Sequence, residues 1–436
     1  MQWQNWAGLE SAEPRTVITP TSVDEVVDAV TGARRVGGTV KMVGSGHSFT
    51  AISAPEDAML RPQGMAGLVA VHRDAMTVTA WAGTQLKVLN AELERLGLSL
   101  HNMGDIAEQT LAGATSTGTH GTGGVAAGLA AQLAGLQLVT GTGEVVDASR
   151  EHNADVFEVA RVGLGALGIL TRVTFAVEPL FLLQADEQPM SWDDALGSFD
   201  ELVAGSHHAD MYWFPHTDRL LVKRNTRLDA DLSEAEPLSR FRGWLDDDFL
   251  ANTVFGALNA AGNRAPRVVP RLNRVAARAL SARSYSDVAH RVFTSPRRVV
   301  FREMEYAVPR EAGLEALREV RRAVDASDWK IGFPVEIRVA PADDIPLSTA
   351  YGRNSFYLAF HTHHRSDWAT HVAYLHAMET IMRAHDGRPH WGKLHTRTAA
   401  DLAPAYPRFG DALALRDRLD PDRVFANDYL RRVLGD

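Results

Sequence analysis

The chain has 436 residues and a formal net charge of −9, from 45 lysines and arginines against 54 aspartates and glutamates. Its hydrophobic fraction of 45% and charged fraction of 23% exclude a largely disordered chain, a collagen-like chain and a coiled coil. The length is too great for one ordinary core and predicts two or three domains. The acidic balance provides no global basic field for nucleic acid or an anionic membrane.

The chain has no cysteine and seventeen histidines. The absence of cysteine excludes disulfides, iron–sulfur clusters, thiolate zinc sites, cysteine nucleophiles and cysteinyl cofactor links within this sequence. Residues 1–8 lack the basic and apolar regions of a signal peptide. Residues 123–141 are weakly polar but contain Gln132 and Gln137, so a loop and a buried strand are expected there rather than a membrane span. We therefore expect a cytoplasmic protein with no obligate membrane segment.

The first half of the sequence predicts alternating strands and helices. A short strand at 17–18 precedes a helix over 23–35, because Thr21 or Ser22 can cap its first turn and apolar residues recur at helical spacing. The next strand, residues 39–43, runs directly into a glycine-rich loop. The further predicted elements are a strand at 75–82, a helix at 86–97, a hairpin of 133–139 with 144–147, and a strand at 172–177.

The middle of the chain, residues 180–384, has fewer glycines and more arginines. Its predicted elements are strands at 301–308, 334–341 and 355–360 and a helix at 313–324. Strands interleaved with helices indicate an α+β domain that begins near Pro179. Six arginines between residues 263 and 284 are spaced to cover one side of helices. They form a solvated face, structural ion pairs or a nucleic-acid-binding helix, and the net acidity disfavours the last.

The strongest local motif is Gly44-Ser45-Gly46-His47-Ser48-Phe49 at the end of an apolar strand. The two glycines let backbone amides approach a diphosphate, and the hydroxyls of Ser45 and Ser48 add donors. Phe49 stands where a Rossmann fingerprint needs glycine, so that fingerprint is excluded. By itself the motif fits a plain strand-to-loop turn as well as it fits a phosphate-binding loop.

Two further segments of small residues follow, at 111–123 and 163–168. Small and hydroxylated residues keep bulky side chains away from a long polar ligand. Three such segments in one N-terminal domain predict a dinucleotide lying along it, whereas the alternative is a series of tight loops.

Residues 387–394 nearly match a P-loop, but Leu394 stands where a magnesium-binding Ser or Thr is required. A nucleotide triphosphatase is therefore disfavoured. The segment leaves Lys393 close to His390, Trp391 and His395 in a compact turn. Lys393 is either a charge for an anionic flavin or an oxyanion, or a solvated lysine.

Glu336 and Arg338 are two residues apart on a predicted strand and therefore project from the same face. They form either a structural ion pair or a polar pair that lines a site. His361, His363 and His364 resemble a metal-binding cluster, but 361 and 363 share a strand face that 364 does not, and no nearby acidic cluster completes a site. We therefore expect no metal site.

Taken together, these motifs resemble a known family of flavoproteins. They stand in this order: GSGHSF at 44–49, GTHGTG at 118–123, GLGALG at 163–168, EIR at 336–338, HWGK at 390–393, and the tail DPDRVFANDY at 420–429. The sequence is similar to the aldonolactone oxidases of the vanillyl-alcohol-oxidase superfamily, which are L-gulono- and D-arabinono-1,4-lactone oxidases or dehydrogenases. Alditol oxidases are close relatives. The resemblance covers essentially the whole chain.

The resemblance implies an α+β flavoprotein with an FAD-binding domain at 1–178, a cap or substrate domain at 179–388, and a C-terminal segment at 389–436 that completes the FAD domain and active site. It implies that His47 is bonded covalently to the flavin 8α-methyl. Asp105 stands where relatives have Ser, so it either contacts a substrate hydroxyl or bonds only to backbone. The other positions implied to contact FAD are Val43, Gly44, Ser45, Gly46, Ser48, Thr110, Gly113, Ala114, Thr115, Ser116, Ile169 and His390.

The same resemblance implies the catalytic residues. Arg338 and Lys393 stabilise negative charge on the flavin and the developing alkoxide, and Glu336 accepts a hydrogen bond from a sugar hydroxyl. Glu336 is a doubtful base, because Arg338 favours its ionised form. His361 aligns near the site, where it either assists catalysis or is only a packed histidine of the strand. Gly104 lies over the flavin in relatives, where glycine is typical of oxidases, so we expect O2 as acceptor and H2O2 as product.

The expected reaction is oxidation of a sugar 1,4-lactone at its C2 hydroxyl by hydride transfer to flavin N5. Residues 333–338 and 102–109 favour a lactone enzyme over the alternative, an alditol oxidase acting on xylitol or sorbitol. A protein of a different class, which binds flavin without turnover, is the remaining alternative. The sequence does not indicate an oligomeric state.

Overall fold

The computed structural model describes residues 2–243, 252–295 and 298–436. Its first sheet has three parallel strands, in the order Thr16–Ile18, Ala58–Leu60, Val40–Met42. Helix Val23–Arg35 follows the first strand. As predicted, Ser22 caps this helix by accepting from the Glu25 amide.

The second sheet is antiparallel and has five strands, in the order Val145–Ser149, Leu133–Val139, Ile169–Ala176, Thr77–Trp81, Leu68–His72. The first two strands form the predicted hairpin, with Val145 opposite Val139. Helix Leu86–Arg95 buries Leu86, Leu89 and Leu93 in the core beside this sheet. The sequence periodicity therefore predicted these elements correctly.

The third sheet is antiparallel and has eight strands, in the order Arg283–Val288, Leu182–Ser191, Arg219–Leu228, His208–Trp213, Val335–Ala340, Ser355–His363, Phe301–Pro309, Arg388–Pro389. The core that includes Trp213, Phe356 and Phe360 also contains buried residues of helices Gly313–Ala326 and Trp368–Ala384. Strands that alternate with helices over this half confirm the α+β fold. Four neighbouring strands in the middle of this sheet supply the polar residues discussed below.

The remaining helices are short or peripheral. They are Leu111–Ser116, Ala154–Ala160, Trp192–Gly197, Phe199–Ala204, Arg240–Gly243, Phe255–Arg264, Val269–Ala279, Ala289–Phe293, Ala399–Leu402, Phe409–Leu419 and Asp428–Leu434. Two strand pairs, Trp3–Gln4 with Ser11–Ala12 and Leu98–Ser99 with Glu178–Pro179, complete the fold. None of the helices within the described ranges is long and apolar enough to cross a membrane.

The C-terminal segment returns to the N-terminal half of the chain. Strand Arg388–Pro389 is the edge of the large sheet, whereas helices Phe409–Leu419 and Asp428–Leu434 pack into the core that contains Phe157 and Phe175. Asn427 fastens this segment, because its side-chain amide donates to the carbonyls of Ala51, Ile52 and Ala54 at 2.9–3.2 Å. The segment thereby brings the turn that carries Lys393 to the junction of the two halves.

The arginine-rich region forms helices Phe255–Arg264 and Val269–Ala279. Arg283 pairs with Glu187 at 2.7 Å. The other five arginines are exposed and make no ion pair within the described residues, and they are Arg264, Arg267, Arg271, Arg274 and Arg278. The region is thus mainly a solvated face with one ion pair.

Candidate active site

Two cavities meet at His47. The loop cavity is lined by the glycine-rich loop 44–48, helix Leu111–Ser116 and residues 164–170. The sheet cavity is lined by residues of four neighbouring strands of the large sheet and by the turn that carries Lys393. Four residues line both cavities, and they are His47, Ser48, Gln109 and Thr117. A long ligand can therefore extend from one cavity into the other past His47.

The glycine-rich loop is shaped by close contact with Thr110. A Cβ on Gly44 would lie 2.3 Å from Thr110 Oγ1, so this position accepts only glycine. The five consecutive amides of residues 44–48 donate to no acceptor in the described part of the chain. Backbone amides left without acceptors beside a cavity suit a phosphate group.

The imidazole of His47 is half-buried and makes no hydrogen bond to any described residue. Its ring lies 5.5 Å from the Trp6 ring, centroid to centroid. Burial lowers the pKa of His47, although Glu108 opposes this effect. A neutral imidazole with available nitrogens therefore stands at the junction of the cavities.

Most of the predicted cofactor residues line the loop cavity, and they are Gly44, Ser45, Gly46, Ser48, Thr110, Gly113, Ser116 and Ile169. Three others, Val43, Ala114 and Thr115, are buried and line neither cavity. Gly104, Asp105 and His390 line the sheet cavity instead.

Two details of the loop cavity differ from the sequence analysis. The Ser45 hydroxyl was expected to donate to a ligand, but it donates to the Glu108 carbonyl. The sequence analysis also missed Lys41, which lines the cavity and donates to the Gly165 carbonyl at 3.2 Å. Burial lowers the pKa of Lys41 to about 7, against the effects of Asp420 and Glu56.

Arg338 lies between two carboxylates in the sheet cavity. Its Nη2 is 2.6 Å from Glu336 Oε1, and its Nε is 3.1 Å from Asp210 Oδ1. Burial alone would lower the pKa of Arg338, but Glu336 and Asp210 raise it well above its usual value. Burial raises the pKa of Asp210 to about 6, although Arg338 opposes it. Glu336 and Arg338 therefore form an ion pair that also lines the cavity, so both predicted interpretations hold.

Lys393 lies between the carboxylates of Glu303 and Glu305. Its Nζ donates to Glu303 Oε1 and, at 3.0 Å, to Glu305 Oε2. Burial alone would lower the pKa of Lys393, but the two carboxylates raise it well above its usual value. Lys393 is thus held as a cation at the cavity wall.

His120 contacts the other oxygen of the Glu305 carboxylate. Its Nε2 is 2.8 Å from Glu305 Oε1, and its Nδ1 is 2.8 Å from the Gly121 carbonyl oxygen. Both ring nitrogens of His120 therefore face oxygens that only accept hydrogen bonds. The ring stacks on Tyr357 with centroids 3.9 Å apart. Glu303, Glu305, Lys393 and His120 are here called the Lys393 quartet.

The sequence analysis missed Glu303 and Glu305, although these two carboxylates are two residues apart on strand Phe301–Pro309. That is the same-face spacing that pointed to Glu336 and Arg338. His390 does line the cavity, and burial lowers its pKa to about 3. Its Nδ1 accepts from the Gly392 amide at 3.1 Å.

The argument that no acidic cluster stands near His361 was wrong. Oxygens of Glu303 and Glu336 and a ring nitrogen of His361 all lie within 4.8 Å of one another. Glu303 is already paired with Lys393, however, and Glu336 with Arg338. His363 lines a different cavity, and His364 Nδ1 lies 2.9 Å from the Val300 carbonyl oxygen.

Comparison with known proteins identifies the family. The profile of the family described as D-arabinono-1,4-lactone oxidase matches residues 173–433, and that of the family described as FAD binding domain matches residues 14–149. The L-gulono-1,4-lactone dehydrogenase of Mycobacterium tuberculosis is 40% identical over 433 residues, which span 99% of each chain. The L-gulonolactone oxidase of Mus musculus is 33% identical over 438 residues, spanning 99% of this chain and 98% of the mouse protein.

A solved structure shows the same fold. The crystal structure of cholesterol oxidase from B. sterolicum matches with a TM-score of 0.82 at 18% identity, covering 99% of this chain and 96% of that one. The fold and the match to an FAD-binding domain thus define a flavoprotein with an α+β fold. The chain belongs to the D-arabinono-1,4-lactone oxidase family. The resemblance inferred from the motifs is confirmed.

FAD fits the residues of both cavities. The unpaired amides of residues 44–48 and the contact of Gly44 with Thr110 suit a diphosphate in the loop cavity. Lys393 and Arg338 line the sheet cavity, where these cations would stabilise negative charge on the ring of a reduced flavin bound there. His47 stands between the two regions.

Proposed function

We propose that this protein uses FAD to oxidise a sugar 1,4-lactone, L-gulono- or D-arabinono-1,4-lactone, at its C2 hydroxyl. The observation that carries the proposal is the sheet cavity, because His47, Arg338, Lys393 and Glu336 all line it. The names of the relatives, which are lactone oxidases and dehydrogenases, agree with this substrate class. A polyhydroxylated ligand suits a wall of alternating carboxylates and cations, because each hydroxyl both donates and accepts.

The chain's own residues orient the substrate and stabilise charge. Glu336 accepts a hydrogen bond from a sugar hydroxyl, which holds the C2–H toward the cofactor. Arg338 and Lys393 are fixed by their carboxylate partners and stabilise negative charge that develops in the reaction. Bound flavin supplies the acceptor for the hydride and its electron pair. Asp105 accepts from Ser295 Oγ at 2.9 Å and lines the same cavity, where it contributes a further acceptor.

We propose the domain limits given by the family resemblance. Residues 1–178 and 389–436 form the FAD-binding domain, and residues 179–388 form the cap. The return of the C-terminal helices to the first core supports this arrangement.

We also propose that His47 carries the flavin covalently. Its lowered pKa and its ring nitrogens without partners in the described residues support the bond, because a protonated imidazole would have no lone pair with which to bond to the flavin. Acid precipitation tests this link. The yellow flavin should stay with the precipitated wild-type polypeptide and be released from the His47→Ala polypeptide. Complete release of the flavin from the wild type would contradict the covalent link.

We propose O2 as the acceptor, with Gly104 as the gate. Gly104 lines the sheet cavity, and a Cβ there would lie 3.1 Å from Thr119 Cγ2 and 3.2 Å from the His120 carbonyl oxygen. An alanine methyl group would press against these two atoms, whereas glycine leaves this stretch of the cavity wall without a side chain.

Steady-state assays separate the lactone enzyme from an alditol oxidase. The proposal predicts a much larger kcat/KM with L-gulono-1,4-lactone or D-arabinono-1,4-lactone than with xylitol or sorbitol. A preference for xylitol would reverse the substrate assignment while leaving the flavin chemistry intact.

A further inference from the structure

Lys41 is a buried lysine that reaches the loop cavity from strand Val40–Met42. Val40 packs in the core that contains Val26, so the side chain of Lys41, on the opposite face of the strand, points away from that core. Lys41 is only 3% exposed, and it lines the loop cavity together with Gly165. Its Nζ donates to the Gly165 carbonyl at 3.2 Å, which places the amino group beside the cavity wall.

The amino group of Lys41 has few partners for a buried cation. An ammonium group has three hydrogens, and the Gly165 carbonyl accepts one. Lys41 forms no ion pair with any carboxylate in the described part of the chain. The two carboxylates that act on it from farther away are already occupied, because Asp420 accepts from two backbone amides at 2.8 and 2.9 Å and Glu56 is paired with Arg431. A buried cation without a paired anion is unfavourable, so an anionic ligand in the cavity would stabilise it.

Lys41 is also the main source of charge in the loop cavity. Among the described residues that line it, only Lys41 and His47 have ionisable side chains, and burial lowers the pKa of His47. The amides of residues 44–48 donate to no described acceptor and suit phosphate oxygens, but backbone amides carry no net charge. The diphosphate of FAD is a dianion. Lys41 is therefore the group that can balance part of this charge inside the cavity.

We propose that the ammonium group of Lys41 binds the diphosphate of FAD and supplies the positive charge that the loop amides lack. The inference rests on FAD as the cofactor and is independent of the lactone substrate. It deepens the assignment of the loop cavity, because it names the side chain that binds the charged part of the cofactor.

This role gives FAD binding a dependence on pH. Burial lowers the pKa of Lys41 to about 7, although the carboxylates of Asp420 and Glu56 oppose the effect. A diphosphate beside the amino group favours its protonated form and therefore raises this pKa. The contribution of Lys41 to FAD affinity is thus complete below about pH 7 and is lost as the pH rises through the higher pKa of the complex.

Equilibrium ultrafiltration of the His47→Ala holoprotein tests the role, because the Kd of FAD can be measured where the proposed covalent link is removed. At about pH 6, Lys41→Met in this background should raise the Kd by about 10–100-fold, the usual effect of losing a hydrogen bond to a charged group. The ratio of the two Kd values should shrink as the pH rises toward about 9. Lys223→Met is the matched control and should leave the Kd unchanged. Lys223 also donates to a backbone carbonyl, that of Val292 at 3.4 Å, but it lines neither cavity.

An unchanged Kd in Lys41→Met, an equal rise in Lys223→Met, or a Kd ratio that grows with pH would overturn the inference. Sulfite should bind the flavin equally well with and without Lys41→Met, because Lys41 does not line the sheet cavity, and a changed sulfite affinity would place Lys41 at the flavin ring instead. Lys41→Gln, which is polar but uncharged, should show the same loss of FAD affinity and provides the test if Lys41→Met does not fold. A flavin that no lactone bleaches would refute the proposed function and leave these FAD measurements unaffected.

Discussion

Replacement of Glu305 by glutamine tests the Lys393 quartet as a hydrogen-bonded unit around one buried carboxylate. Glu305 is 1% exposed, and its carboxylate is 2.8 Å from His120 Nε2 and 3.0 Å from Lys393 Nζ. Glutamine keeps the shape but removes the charge, so Lys393 would retain only the carboxylate of Glu303 and His120 would lose its carboxylate partner. Removal of one partner from a buried ion pair costs about 3–5 kcal/mol. We expect the free energy of unfolding to fall by that amount near neutral pH.

A second glutamate–histidine pair is the control. Glu319 Oε2 lies 2.9 Å from His385 Nε2, nearly the same distance, but the Glu319 side chain is 41% exposed. Exposed pairs contribute about 0–1 kcal/mol, so Glu319→Gln should change stability little. Urea unfolding of each holoenzyme, followed by tryptophan fluorescence, measures both differences. Equal losses in the two variants would refute the argument that burial makes Glu305 important.

The stability difference between the wild type and Glu305→Gln should change with pH in a defined direction. The pKa of Glu305 in the fold is well below its ordinary value of 4.5, because Lys393 and His120 outweigh the effect of burial. The contribution of the Glu305 carboxylate to the free energy of unfolding is therefore complete above about pH 4.5. It is lost as the pH falls toward the pKa of Glu305 in the folded protein. The stability gap between wild type and Glu305→Gln should narrow below pH 4.5, and a gap that widens there would contradict the assignment.

Three further substitutions test the site. Gly104→Ala should lower turnover with O2 far more than with an artificial dye, and an equal loss with both acceptors, measured by oxygen uptake and dye reduction, would reject the gate. Lys393→Met removes a fixed cation, so anaerobic flavin reduction should slow by about 10²–10³-fold. Sulfite should also bind the flavin more weakly in this variant. An unchanged sulfite affinity would show that Lys393 does not act on the flavin ring. Gly121→Ala would put a Cβ 2.2 Å from the Met103 carbonyl oxygen and 2.3 Å from Asn102 Oδ1. The free energy of unfolding, measured with urea, should therefore fall by about 1–3 kcal/mol. An unchanged free energy of unfolding would show that this loop can move to accommodate the methyl group.

The elements with strong local periodicity were predictable from the sequence. Helix Val23–Arg35 has its cap, acidic first turn and apolar face within fourteen residues, and the hairpin around residues 140–143 joins two adjacent strands. The same-face spacing of Glu336 and Arg338 correctly indicated a pair at a cavity. In each case the information lies within a few residues of the element it determines.

The remainder of the site depends on contacts that no local pattern specifies. Lys393 meets Glu303 and Glu305 across about ninety residues of sequence, and His120 reaches Glu305 from the other half of the chain. Glu303 faces His361 because of the register between two strands, and a shift of one residue would turn one of them to the opposite face. The local spacing of Glu303 and Glu305 was visible, but their partners were not.

The most direct test of the central claim is an anaerobic titration of the purified protein with L-gulono-1,4-lactone. We expect the yellow flavin absorbance to bleach and to return when air is admitted, with formation of H2O2. Glu336→Gln should bleach much more slowly, because the group that orients the sugar hydroxyl is weakened. A wild-type spectrum that stays unchanged with both L-gulono- and D-arabinono-1,4-lactone would contradict the assignment of this protein as a lactone-oxidising flavoenzyme.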